Sequence, residues 1–222
     1  MDMARPGAKA ALSQGETAAL YDRLAGVYDV WGHLTESKAR ARALALADIR
    51  PGQHVLEVAV GTGLALIQVV KANPSGRNVA IDISRGMLAK AGRRLRRAGL
   101  GNFELSVGSA LSVAEADGSF DVILNSYMFD LLDEPGQVRA IGEFHRLLRP
   151  GGKLVLANMT LGERRGSGVF ERLYRLSPAL MGGCRGVRMS AQLQRGGFSV
   201  SSREYIQQML FPSEVILATK GT

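Results

Sequence analysis

The sequence predicts an α/β domain built on a mostly parallel seven-stranded sheet with an antiparallel pair at its C-terminal end, and three observations predict it. Short apolar runs alternate with helical stretches after Ile49, the pattern of a parallel sheet covered by helices on both faces. The run Val55-Leu-Glu-Val-Ala-Val-Gly-Thr-Gly63 reads as a buried strand that ends in a tight glycine turn. Nineteen residues after Gly63, Asp82 closes the next apolar run, at about the distance where doubly wound folds place an acid on a ribose.

The elements follow in order. Residues 1–15 read as a flexible N-terminus, and residues 16–222 as a single domain, since 222 residues suit one generous core. A helical segment over residues 16–48 precedes the sheet. Strands are predicted at 55–60, 78–83, 103–107, 120–125 and 153–159, with helices at 64–71, 85–98 and 137–148 between them. Ser84 caps the second of these helices, whose apolar face is Met87, Leu88, Ala91 and Leu95. The last two strands, 198–207 and 211–219, are separated by too few residues for a parallel crossover and must be antiparallel. Segments 16–48 and 160–194 flank the carboxyl ends of the strands and are natural lids.

The glycine turn discriminates between ligands. Gly61 and Gly63 let a ligand approach the backbone, but the third glycine of a dinucleotide fingerprint is replaced by Leu66. The turn therefore favours a nucleoside without a diphosphate, its ribose hydroxyls held by Asp82.

Composition narrows the classes further. Hydrophobic and charged contents of 46% and 22% are those of a globular protein. The most apolar stretch, 55–70, is interrupted by Glu57 and Gln68 and is too short to span a bilayer. Residues 1–15 carry no apolar signal region, which predicts a cytoplasmic protein. Cys184 is the single cysteine, read as a small packed thiol, and His33, His54 and His145 have no ligand spacing, so no metal site is expected. The net charge of +8 and the basic clusters at 90–97, 164–175, Arg185 and Arg188 attract phosphates, of nucleic acid or of anionic lipid. The cluster at 90–97 closes a helix, where the macrodipole favours cations, and reads as a solvated face.

Six segments carry a resemblance. They are Tyr21-Asp-Arg-Leu-Ala-Gly-Val-Tyr-Asp29, Glu57 to Gly63, Asp82-Ile-Ser-Arg-Gly-Met-Leu88, Gly108-Ser-Ala110, Ser119-Phe-Asp-Val122 and Leu147-Leu-Arg-Pro-Gly-Gly-Lys-Leu154. Their order and spacing resemble the Rossmann-like class I S-adenosylmethionine-dependent methyltransferases, in the ubiquinone and menaquinone biosynthesis branch. The resemblance implies S-adenosylmethionine as cofactor. It implies a methionine moiety against Ala59, Gly61 and Gly63 with Glu57 near its amino group, ribose on Asp82, and adenine between Ile83 and Met87 with Ser109 and Ala110 at its edge. Tyr21, Tyr28 and Asn125 would complete the cofactor site, Tyr28 and Asn125 beside the sulfonium.

Four positions depart from the family pattern: Ala59 stands for a glycine, Val60 for a cysteine, Ser109 for an aspartate and Asp130 for a histidine. A methyl at position 59 is expected to be tolerated as a strand residue. Asp130, after the fourth strand, is the candidate base, its carboxyl raised by desolvation, with Tyr127 and His33 as further catalytic candidates. The expected acceptor is a small lipophilic quinone, phenol or related lipid, reached at an anionic membrane. A phospholipid amino head group is the runner-up, and a non-catalytic cofactor-binding protein the competing class. Asn125 is followed by Ser126 and Tyr127 without a proline, which departs from the nucleobase-methylating pattern and argues against nucleic acid.

Overall fold

The computed structural model describes residues 14–24, 28–163, 185–209 and 211–221. Two helices, α1 (Gln14–Leu24) and α2 (Tyr28–Ala47), lead into β1 (His54–Val58), α3 (Leu66–Ala72), β2 (Arg77–Asp82), α4 (Arg85–Arg97) and β3 (Glu104–Val107). β4 (Phe120–Ser126), α5 (Glu134–Leu147), β5 (Leu148–Met159), α6 (Ser190–Arg195), β6 (Phe198–Gln208) and β7 (Phe211–Lys220) follow.

The strands form one seven-stranded sheet in the order β3-β2-β1-β4-β5-β7-β6. The first five run parallel; β7 lies antiparallel between β5 and β6, as the short connection requires. The chain reverses its direction of travel across the sheet between β1 and β4. A doubly wound sheet opens a ligand crevice beyond the strand ends at such a point.

Side-chain alternation along the strands divides the core into two layers. On one face Val55, Val122, Leu124 and Val155 pack with Ala39, Ala43 and Ala47 of α2, Leu66 and Val69 of α3, and Leu88 and Leu95 of α4. On the other, Leu56, Val58, Ile123 and Leu156 pack with Ala140, Ile141 and Phe144 of α5 and Leu193 of α6. The Ser84 hydroxyl accepts from Met87 N at 3.0 Å and starts α4 as predicted.

Several boundaries differ from those read in the sequence, among them those of the N-terminal segment, α3, α5 and β5. The helical N-terminal segment begins at Gln14 and comprises two helices. α3 begins at Leu66, because the chain is still turning at Gly63, whose φ is +78°. α5 begins at Glu134, since Asp133 caps it through Gly136 N at 2.9 Å. β5 begins at Leu148, paired with Phe120, ahead of a register shift. Of the lid predicted at 160–194, residues 164–184, including Cys184, lie outside the described residues. Among the described residues no helix is long and apolar enough to cross a membrane, and no acidic, histidine or cysteine cluster could hold a metal.

Candidate active site

The site is built first from the turn after β1. Val60 N reaches across to Ile81 O at 3.1 Å and Gly63 N closes back on Val60 O at 3.0 Å, fixing the turn against β2. Its two glycines serve different purposes. A Cβ at Gly61 (φ +54°) would meet nothing within 4 Å, so this glycine leaves space open in front of the backbone. A Cβ at Gly63 would come within 3.0 Å of Ala91 Cβ, so that glycine lets α4 pack against the turn.

The expectation for Ala59 is corrected here. β1 ends at Val58, and Ala59 is not a strand residue: it takes φ 57°, in the left-handed region where a Cβ is strained.

Asp82 ends β2 beneath this turn. Its Oδ2 accepts from Gly61 N at 2.8 Å and its Oδ1 from Ser84 N at 2.9 Å, so the carboxylate joins the glycine turn to the start of α4. Burial raises its pKa above the ordinary value, against those amide hydrogen bonds. Glu57 is buried behind the turn, where desolvation pushes its carboxyl up to about 8 against the field of Arg40. Its Oε2 has no hydrogen-bond partner.

A cavity of about 560 Å³ opens over the turn and Asp82, with Glu57 off its wall. Its wall includes Ala59, Gly61, Asp82, Ile83, Met87, Ser109 and Ala110 together with the apolar side chains of Leu111, Met128, Leu131, Leu132 and Pro135. Thr17 and Tyr21 of α1 close it from above. An open glycine, a carboxylate pinned on backbone amides, an apolar pair at Ile83 and Met87 and a buried acid with a lone oxygen together fit the cofactor that the resemblance implies. Ser109 reaches the wall, and its hydroxyl accepts from Leu111 N at 3.2 Å.

Other predicted residues stand off the wall. Asn125 is fully buried and donates to Val58 O at 2.9 Å and to Met128 Sδ at 3.5 Å, so Met128 rather than Asn125 faces the cavity. Tyr28 opens α2, and its side chain lies outside the described residues.

The three catalytic candidates separate. Tyr127 is on the wall with a left-handed backbone (φ 54°), pinned by Tyr127 N to Ala157 O at 2.7 Å and by its hydroxyl against Ser213 Oγ at 3.0 Å. Desolvation raises its phenol well above the ordinary range, which keeps it protonated. Asp130 is fully buried and outside the wall, packed within the loop whose neighbour Phe129 stacks edge-on against Phe144. His33 is exposed on α2, also outside the wall, and its carbonyl accepts from Gln208 Nε2 at 3.0 Å. Sequence reading missed Thr17, Leu111, Leu131, Leu132, Asp133, Pro135 and Arg139. Only Asp133 had a local signal, an acid ahead of a Glu-Pro helix start.

The basic cluster is also corrected in part. Arg93 and Arg97 are solvated, but Lys90 and Arg94 are half-buried and pair with Asp29 at 3.2 and 2.6 Å.

Known proteins match the chain in sequence and in fold. A family model described as a methyltransferase domain matches residues 55–152. The chain is 36% identical over 172 residues to the demethylmenaquinone methyltransferase of Renibacterium salmoninarum, covering 74% of this chain and 68% of that one. It is 35% identical over 138 residues to the nocamycin O-methyltransferase of Saccharothrix syringae, covering 62% of this chain and 49% of that one. It is also 32% identical over 143 residues to the demethylmenaquinone methyltransferase of Symbiobacterium thermophilum, covering 61% and 56%. The chain thus spans about half the length of these last two relatives.

Among solved structures it is similar to the [4+2]-cyclase SpnF, with a TM-score of 0.78 at 17% identity over 98% of this chain and 100% of that one. It is similar also to a methyltransferase from Aquifex aeolicus, with a TM-score of 0.63 at 21% identity over 94% and 98%. These structural likenesses concern the fold alone, which serves a cyclase and a methyltransferase alike. The matched relatives and the ordered motifs carry the assignment further: the chain belongs to the class I S-adenosylmethionine-dependent methyltransferases, in the ubiquinone and menaquinone biosynthesis branch.

Proposed function

We propose that this protein transfers a methyl group from S-adenosylmethionine to a small lipophilic acceptor of the quinone, phenol or related lipid type, presented at the cytoplasmic face of an anionic membrane. The observation that carries the reading is one cavity whose wall combines the glycine turn and Asp82 with a set of apolar side chains. The turn at Gly61 and the acid Asp82 suit a nucleoside, and the walls at Leu111, Met128, Leu131 and Leu132 suit an apolar ring.

The cofactor supplies a methyl already activated as a sulfonium. The protein's task is then alignment and exclusion of water. Asp82 holds the ribose hydroxyls, Ile83 and Met87 the adenine, and Ser109 and Ala110 its edge. Glu57 meets the amino group of the methionine moiety, and Tyr21 covers it. Met128 and the leucines after it hold the acceptor ring in line. Tyr127, protonated and pinned against Ser213, is a wall rather than a base. The acceptor's proton leaves toward Asp133, a solvent-facing carboxylate on the wall.

Mass spectrometry of a lipid extract incubated with the protein and deuteromethyl-labelled cofactor tests the reading. Label in a quinol or phenol fraction supports it. Label in amino head groups moves the acceptor to phospholipid, label only in RNA or protein overturns the acceptor class, and tight binding of the cofactor with no label in any fraction makes the chain a non-catalytic binder. Asp82→Ala removes the hydrogen bonds to the ribose together with those from Gly61 N and Ser84 N, and is expected to lower cofactor affinity by at least about 2 to 3 kcal/mol and to loosen the glycine turn. Calorimetry showing wild-type affinity in this variant would refute the ribose assignment.

A further inference from the structure

We propose that Asp22 and Asp29, the two carboxylates of the N-terminal tyrosine motif, are positioning residues that clasp α1 and α2 onto α4 and so hold Tyr21 and Thr17 over the bound cofactor. The inference rests on the reading of the cavity as an S-adenosylmethionine site.

The clasp reaches each half of the nucleoside cradle. At the start of α4, Asp22 Oδ1 accepts from Gly86 N at 2.9 Å and from the Ser84 hydroxyl. Ser84 is also the residue whose amide holds Asp82 Oδ1, so one side chain and its backbone tie the lid to the ribose acid. A Cβ at Gly86 would come within 3.0 Å of Asp22 Oδ1, so the absence of a side chain there makes room for the lid carboxylate. Farther along α4, Asp29 Oδ2 accepts from Arg94 at 2.6 Å and pairs with Lys90 at 3.2 Å. Asp29 Oδ1 accepts from Thr62 Oγ1 at 2.5 Å, and Arg94 donates to Thr62 Oγ1 at 3.0 Å and to its carbonyl. Thr62 is the residue between Gly61 and Gly63. The lid is thus tied to the glycine turn at one end and to the ribose acid at the other, while Thr17 and Tyr21, on the same helix as Asp22, wall the cavity.

The two ends differ in chemistry, and the test uses that difference. The donors at Asp22 are a hydroxyl and an amide, which a neutral side-chain oxygen also satisfies; those at Asp29 include two cations. Dissociation of S-adenosylhomocysteine, followed by stopped flow, is expected to quicken about tenfold in Asp22→Ala and in Asp29→Ala. Asp22→Asn should restore most of the wild-type rate and Asp29→Asn should not. Gly86→Ala, which improves helix propensity, should nonetheless quicken release. Glu104→Gln, which weakens an ion pair with Arg77 at the far edge of the sheet, should leave it unchanged.

Amide hydrogen exchange of residues 14–24 without ligand is the second readout, expected to accelerate in the same variants. A fall in melting temperature with unchanged release and unchanged exchange would overturn the clasp. If the wild-type protein binds no S-adenosylhomocysteine, the cofactor reading fails, and the exchange measurement alone decides whether the clasp exists.

Discussion

At position 59 a methyl group sits in a backbone conformation that suits glycine, at φ 57° and on the wall of the cavity. Ala59→Gly should therefore stabilise the protein by about 1 kcal/mol, the left-handed strain outweighing the entropy gained by the unfolded chain. For a chain of this size that is a rise in melting temperature of about 2 to 4 °C, measurable by calorimetry. The buried acid at 57 makes a second prediction. Its folded pKa of about 8 lies above its unfolded value, so the native state holds the extra proton between the two. The stability this contributes is complete below the unfolded pKa and is lost as pH rises through about 8. Glu57→Gln should flatten that decline, by up to roughly 1.4 kcal/mol per pH unit, so that denaturation midpoints of the two proteins agree near pH 5 and diverge in the variant's favour by pH 9.

The glycine turn and α4 act as one element. Gly63→Ala forces a Cβ to within 3.0 Å of Ala91 Cβ in a left-handed backbone, and the backbone of α4 at 3.1 Å leaves little room to give. A loss of about 2 to 3 kcal/mol is expected in urea denaturation, with cofactor affinity falling as the turn shifts. Most elements were legible because their periodicity and caps agree, as Ser84 and the apolar face of α4 illustrate. The misplaced boundaries have local causes: Gly63 delays α3, the Asp133 cap advances α5, and β5 begins early because Leu148 pairs with Phe120 before the strand proper. The site was legible where it rests on strand ends, at Gly61, Asp82, Ser109 and Ala110. It was not legible where it depends on a helix folding back, as for Thr17, or on the path of the loop after β4. In that loop neighbouring residues part company, Met128 turning to the cavity and Asp130 to the interior.

Across the whole molecule the charge balance is +8, and part of it is internal to the fold: Lys90 and Arg94 fasten Asp29, and Arg77 holds Glu104 and Glu115. Arg93, Arg96 and Arg97 face solvent on α4 and remain available to an anionic surface. Sedimentation with anionic vesicles should retain the protein at low ionic strength and release it as salt rises, since exposed charges are screened within about 8 Å at physiological ionic strength. Retention that persists undiminished in high salt would point to apolar insertion instead.

The position of β7 bears on how the chain is made. β7 is the seventh strand in sequence but the sixth across the sheet, filling the gap between β5 and β6. During synthesis β6 emerges with no partner, since its only neighbour in the sheet has not yet been translated. Until Lys220 leaves the ribosome, β5 keeps a bare edge and β6 is a loose hydrogen-bonding strand, a combination that invites pairing with another nascent chain. Closure of the sheet is therefore gated by the arrival of β7, and a chaperone that shields the β5 edge would act on this protein between the synthesis of β5 and that of β7.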